Sequence, residues 1–271
     1  MWAFVCGAIS TGLPLVDHWQ KLLIGIVLCG PLLCASSQAV NDWFDRHVDA
    51  INEPSRPIPS GRMPGFWGLG FAIAWSALAL AASALLGRMV LLAALLGIAL
   101  SWGYSAPPVR LKANGWLGNL ACAVCYEGMA WLTGALVMMD GAALGNQSIA
   151  LALLYSLGAH GIMTLNDFKS MAGDRRFGVA SLPVQYGARR AAWIACAVML
   201  VPQLIVTGLL LWWHRPGQAI AVMALVTAQL LLMARFLKSP VERALWYSGI
   251  GVPLYVAGMM VSAFAARGVV A

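Results

Sequence analysis

The chain has 271 residues, of which 61% are hydrophobic and 10% charged, with a formal net charge of +7. Soluble globular domains carry about 25% charged residues, so a soluble fold is excluded and the chain reads as an integral membrane protein. No low-complexity segment or soluble domain boundary interrupts it, and one membrane domain over residues 1–271 is expected.

Apolar stretches near residues 2–16, 22–40, 66–86, 89–105, 116–139, 149–165, 191–213, 219–236 and 244–266 approach the about 17–25 residues that a spanning helix needs. The expected fold is all-α, a polytopic bundle of about nine transmembrane helices. The first stretch is short and has neither a basic leader nor a small-residue cleavage site. It reads as an N-terminally truncated spanning helix, not a signal peptide.

The second stretch runs into the polar window Asn41-Asp42-Trp43-Phe44-Asp45-Arg46-His47-Val48-Asp49. Asp42, Asp45 and Asp49 stand at i, i+3 and i+7, which sets three carboxylates on one helix face. The sixth stretch ends in a matching window, Asn166-Asp167-Phe168-Lys169-Ser170-Met171-Ala172-Gly173-Asp174. One constant offset relates Asn41 to Asn166, Asp42 to Asp167 and Asp49 to Asp174, the sign of an internal repeat. The two windows hold half of the chain's ten carboxylates. Negative charge so gathered is repulsive unless cations fill it, and hard carboxylate oxygens suit magnesium completed by phosphate oxygens. Asp42, Asp45, Asp49, Asp167 and Asp174 are therefore the candidate metal ligands. Basic residues accompany each window: Arg56 on a loop stiffened by Pro57 and Pro59, Arg110 and Lys112 after the fourth stretch, and Lys169 and Arg175 at the second window. With Asn41 and Asn166 they form the expected diphosphate-binding set.

Thirteen of the seventeen Lys and Arg residues fall in the loops after the second, fourth, sixth and eighth stretches. The positive-inside rule makes those loops cytoplasmic, so the basic balance reports topology, and both acidic windows face the cytoplasm of a multi-pass inner-membrane protein. All six cysteines lie inside apolar helices without the spaced partners of a zinc site. Glu127, well inside the fifth stretch, is a costly intramembrane carboxylate and functional by default. Trp43, Tyr126, Glu127, Trp131 and His160 are the candidate walls of an acceptor cavity, with helix packing the competing role for His160.

The pattern NDxxDxxxD followed by RPIPSG, with the second acidic window and Ser181-Leu182-Pro183-Val184 behind it, resembles the intramembrane UbiA prenyltransferase superfamily over essentially the whole chain. The run from Asn41 to Pro54 and Asn166-Asp167-Phe168-Lys169-Ser170 are similar to its chlorophyll synthase branch. The Asp45-Arg46-His47-Val48-Asp49 and Gly61-Arg62 wording is similar to the bacteriochlorophyll members of that branch. The resemblance implies a central cavity and two Asp-rich motifs that bind Mg2+ and an isoprenoid diphosphate, geranylgeranyl or phytyl. It also implies that the propionate of a bacteriochlorophyllide or chlorophyllide is esterified with release of diphosphate. Asp42, Asp45, Asp49, Arg56, Asp167 and Asp174 would carry the catalysis. Ser170 in place of an acid fits the chlorophyll branch, whereas Ala172 departs from it and implies more water on the second metal. A quinone-type or haem prenyltransferase would share the metal site and differ in acceptor, and a pigment-binding scaffold or a transporter are the other classes. Transporters place coupling residues near the midplane on broken helices, but these acids cluster at one face.

Overall fold

The computed structural model describes residues 1–267, so the last four residues of the expected domain lie outside it. The chain opens with α1 (Trp2–Ser10), followed by α2 (Trp19–Val27) and α3 (Leu33–Asn52). A π turn at Leu28–Leu32, containing Pro31, joins α2 and α3 into one span from Val16 to Ile51. Next come α4 (Trp67–Leu85) and α5 (Arg88–Ser105). A second π turn, Val124–Met129, joins α6 (Gly115–Ala123) to α7 (Ala130–Met139). The remaining helices are α8 (Asn146–Arg176), the short α9 (Leu182–Tyr186), α10 (Ala188–Trp212), α11 (Pro216–Phe236) and α12 (Pro240–Ala266).

Eight helices among the described residues are long and apolar enough to cross a membrane. The difference from about nine lies in α1. Its nine residues make about 14 Å of helix, less than half of a hydrocarbon core of about 30 Å. The helix stops at Thr11-Gly12-Leu13-Pro14, where Gly12 takes φ +76° and Pro14 cannot extend it. What remains is buried against α7 and α12. Two glycines permit that contact: a Cβ on Gly7 would stand 1.8 Å from the Trp131 carbonyl oxygen, and one on Gly134 would stand 1.9 Å from that of Phe4.

The long α8 is the centre of the second half, packing on α10, α12 and α6. Several buried polar groups of this half pair with one another, which membrane depth favours, although Ser156 Oγ has no partner among the described residues. The Tyr155 hydroxyl meets Ser262 Oγ at 2.8 Å, the Tyr255 hydroxyl donates to the Tyr155 carbonyl at 2.7 Å, and Gln203 and Gln229 exchange amide hydrogen bonds. With 31 residues, α8 is about 46 Å long and overhangs the hydrocarbon core. The 36-residue span that includes α3 overhangs it as well. Both acidic windows occupy these overhanging turns.

The loops after α3, α5 and α8 gather at that same end. Ala180 N–H donates to the Ala113 carbonyl at 2.9 Å, and Gly115 N–H donates to the Ala180 carbonyl at 2.8 Å, tying the second loop to the third. Gly115 must lack a side chain there, since a Cβ would meet Leu182 N at 2.7 Å. At the opposite end Lys21 pairs with Asp140, and Arg215 Nη2 donates to the Arg267 carbonyl at 2.9 Å.

Candidate active site

Because α3 remains helical to Asn52, the spacing of Asp42, Asp45 and Asp49 puts their carboxylates on one face. The following loop folds back so that Arg56 Nη1 lies 3.0 Å from both Asp42 Oδ1 and Asp49 Oδ2, while its Nε is 3.5 Å from Glu53 Oε2. Partial burial works against the guanidinium charge, but Asp49, Asp42 and Glu53 outweigh it and push the Arg56 pKa above its ordinary value. Two carboxylate oxygens thus converge on a single nitrogen, which marks a position built for a cation. Arg62, by contrast, staples its own loop, reaching Ser60 Oγ at 3.1 Å and the Ser55 carbonyl.

The third acid has a different partner. Lys112 Nζ, shielded from solvent, lies 2.5 Å from Asp45 Oδ2, close but off hydrogen-bond alignment. Burial pulls the Lys112 pKa down, and Asp45 only partly restores it. Arg110 stands two residues away in the left-handed region, at φ +38°.

The second window is held by neutral donors. Asn119 Nδ2, from α6, donates to Asp167 Oδ2 at 2.9 Å. Ser170 Oγ and Ser181 Oγ both donate to Asp174 Oδ2, at 2.9 and 2.6 Å. Ser170 therefore supports the neighbouring acid where an acid of its own is missing. Asn166, Lys169 and Arg175 are exposed beside this window, and none of them makes a side-chain ion pair among the described residues.

Among the described residues no three His, Cys, Asp or Glu side chains converge on one point. Magnesium does not require that, since it keeps several waters and is commonly bound by one or two carboxylates plus substrate phosphates. The donor set fits such an ion: Asp42 with Asp49 on one side and Asp167 with Asp174 on the other, with Asp45 adjoining the first pair.

An elongated cavity of about 220 Å³ opens below the first window. Asn41, Gln38, Cys34 and Leu33 of α3 form one wall, Tyr104, Ser101, Gly97 and Ala93 of α5 a second, and Cys122, Tyr126, Met129 and Thr133 of the α6–α7 span a third. From Tyr104 to Ala93 the slot is about 16 Å long at 1.5 Å per residue. Its mouth is polar, where Asn41 Nδ2 donates to Ser105 Oγ at 3.3 Å, and its depth is mostly apolar. The π turns shape this wall, supplying Cys29 from one and Cys125, Tyr126 and Met129 from the other.

Of the residues expected to line an acceptor cavity, only Tyr126 is on this wall. Trp43 is buried between Phe66, at a ring distance of 5.8 Å, and the Arg46 guanidinium, 4.2 Å above its ring. Trp131 is fully buried, donates to Ser148 Oγ at 2.9 Å and stacks on Tyr155. His160 is buried against Trp116, with Nε2 3.2 Å from the Trp116 carbonyl oxygen, which is the packing role. Glu127 is not among the residues that line the slot.

Residues 1–263 match the UbiA prenyltransferase family. The bacteriochlorophyll synthase 33 kDa chain of Rhodobacter capsulatus is 50% identical over 270 residues, covering 99% of this chain and 89% of that protein. The chloroplastic chlorophyll synthase of Arabidopsis thaliana is 38% identical over 284 residues, covering 98% and 71% respectively. A solved structure of a UbiA homolog from Archaeoglobus fulgidus, bound to GPP and Mg2+, superposes with a TM-score of 0.72 at 20% identity, covering 98% of this chain and 95% of that one. At that identity the likeness bears on the fold alone.

Proposed function

Since the chain belongs to the UbiA prenyltransferase family, we propose that it is a bacteriochlorophyll synthase, a prenyltransferase that joins an isoprenoid tail to the propionate of a bacteriochlorophyllide. The tail comes from its diphosphate, geranylgeranyl or phytyl, and inorganic diphosphate leaves. The observation that carries this reading is the meeting of a carboxylate pair that binds a guanidinium, Asp42 and Asp49, with the mouth of a mostly apolar cavity. The higher identity to a bacteriochlorophyll synthase than to a chlorophyll synthase favours the bacterial pigment.

Magnesium bound by Asp42, Asp45, Asp49, Asp167 and Asp174 would supply charge neutralisation to the diphosphate leaving group. Arg56, Lys112 and Arg110 reach the same charge from the cytoplasmic loops, and Lys169 and Arg175 face it from the second window. Their role is to stabilise negative charge as the carbon–oxygen bond breaks. Asn41 and Tyr104 hold the mouth of the slot, and the apolar wall below excludes water from the allylic carbon. A propionate is ionised near neutral pH, so its oxygen attacks that carbon without a protein base. This fits the placement of Glu127 and His160 away from the slot. The excess of Lys and Arg in these loops supports a reaction at the cytoplasmic face of the inner membrane.

The test is to supply purified chain and magnesium with geranylgeranyl diphosphate and, separately, bacteriochlorophyllide a, chlorophyllide a and a quinone precursor, and to identify products by mass. Esterified bacteriochlorophyllide as the main product is expected. Prenylation of the quinone precursor alone would contradict the assignment.

A further inference from the structure

The two acidic windows are held by different means. In the first, each aspartate faces a cation of the chain itself: Arg56 Nη1 lies 3.0 Å from both Asp42 Oδ1 and Asp49 Oδ2, and Lys112 Nζ stands against Asp45 Oδ2. In the second, Asp167 and Asp174 are held by the neutral donors Asn119, Ser170 and Ser181. Neutral donors orient a carboxylate and leave its charge for a metal ion, whereas a guanidinium between two carboxylates competes for that charge. Magnesium contacts oxygen ligands at about 2.0–2.1 Å. To bridge Asp42 Oδ1 and Asp49 Oδ2 it would need the position that Nη1 holds, so ion and guanidinium exclude each other there.

The loop lets the side chain leave while its backbone stays. Arg56 N–H donates to the Glu53 carbonyl and Ser60 N–H to the Arg56 carbonyl, both at 3.0 Å, and Ile58 is seated on Gly68, where a Cβ would stand 2.5 Å from its Cδ1. The Arg56 side chain is 35% exposed against 10% for Asp49, so the guanidinium has solvent to swing through and the acid does not. Phosphate oxygens match the guanidinium fork as carboxylates do, and a diphosphate brings the negative charge to draw it off. Resting on the prenyltransferase reading above, we infer that Arg56 is a displaceable stand-in for the first-window metal, which enters between Asp42 and Asp49 as the diphosphate draws the guanidinium away. Metal and prenyl diphosphate are thereby coupled at this window, each admitting the other.

The experiment titrates the purified full chain with Mn2+, an ion suited to the same oxygen ligands, and reads free Mn2+ by electron paramagnetic resonance with no diphosphate present. Arg56→Ala should bind Mn2+ about tenfold or more tightly than wild type, within the range usual for coupled sites. Arg56→Lys should stay near the wild-type affinity because it keeps the charge, and adding Asp49→Asn to Arg56→Ala should abolish the gain. Arg56→Gln carries the test if Arg56→Ala does not fold. An arginine that merely supports the acids predicts the opposite sign. Unchanged or weaker binding in the folded neutral variant, or a gain that survives Asp49→Asn, overturns the inference. Wild-type protein that binds no Mn2+, with inorganic diphosphate or without it, overturns the metal-dependent prenyltransferase reading itself, a result distinct from binding that residue 56 does not affect.

Discussion

A guanidinium stands where two carboxylates of α3 converge, so Arg56 neutralises Asp42 and Asp49, and in the proposed reaction it would offer its remaining donors to diphosphate. Arg56→Ala should lower turnover by about 10²–10³-fold, the usual cost of removing a donor aimed at developing charge, while pigment binding persists. Initial rates over a range of diphosphate concentrations check this, and unchanged kinetics would reduce Arg56 to a surface residue. Ser181 acts at one remove, through its 2.6 Å hydrogen bond to Asp174. Ser181→Ala should weaken metal-dependent activity by about tenfold, within the range for residues that orient a ligand, and more magnesium should restore most of it. Activity unchanged at limiting magnesium would remove Ser181 from the site. Asp42, Asp45, Asp49 and Arg56 were legible in the sequence because helical periodicity assigns the acids to a face and two prolines hold the arginine's loop nearby. Ser181 and Asn119 were not, because their partners come from other segments and no local spacing encodes such a contact. The packing of the aromatic residues was hidden for a related reason. Trp131 and Trp43 have the flat surfaces that a macrocycle would favour, but those same surfaces are used in packing against Tyr155 and Phe66.

Among the elements, the spanning helices were readable from apolar length alone, but two features were not. The π turns at Leu28–Leu32 and Val124–Met129 leave no compositional mark, although they shape the slot. The break after α1 was marked, by Thr11-Gly12-Leu13-Pro14, yet hydropathy averaged over the window conceals it. Since α1 is too short to span, its position depends on close backbone contact with α7. Gly134→Ala would force a Cβ onto the Phe4 carbonyl and should cost about 1–3 kcal/mol, as overpacking does. Thermal unfolding in detergent would show this as a lowered midpoint, and an unchanged midpoint would mean that the α1–α7 contact contributes nothing to stability.

Across the whole molecule, the overhang of α3 and α8 beyond the hydrocarbon core brings two acidic windows, three basic loops and the mouth of an apolar slot to one end. In the proposed reaction the charged mouth and the apolar channel below it would divide the work: one end would stabilise the departing diphosphate, and the other would shelter the carbon that departs from it. The central claim is that a propionate oxygen attacks this prenyl carbon, so that the bond broken is the one between carbon and the diphosphate oxygen. The most direct measurement is the mass of the ester formed from a bacteriochlorophyllide whose propionate carries two heavy-oxygen atoms. Attack by the carboxylate predicts an ester that retains both labels and a diphosphate that carries none. Loss of one label from the ester would mean that the acyl carbon had been activated instead, and would contradict the account.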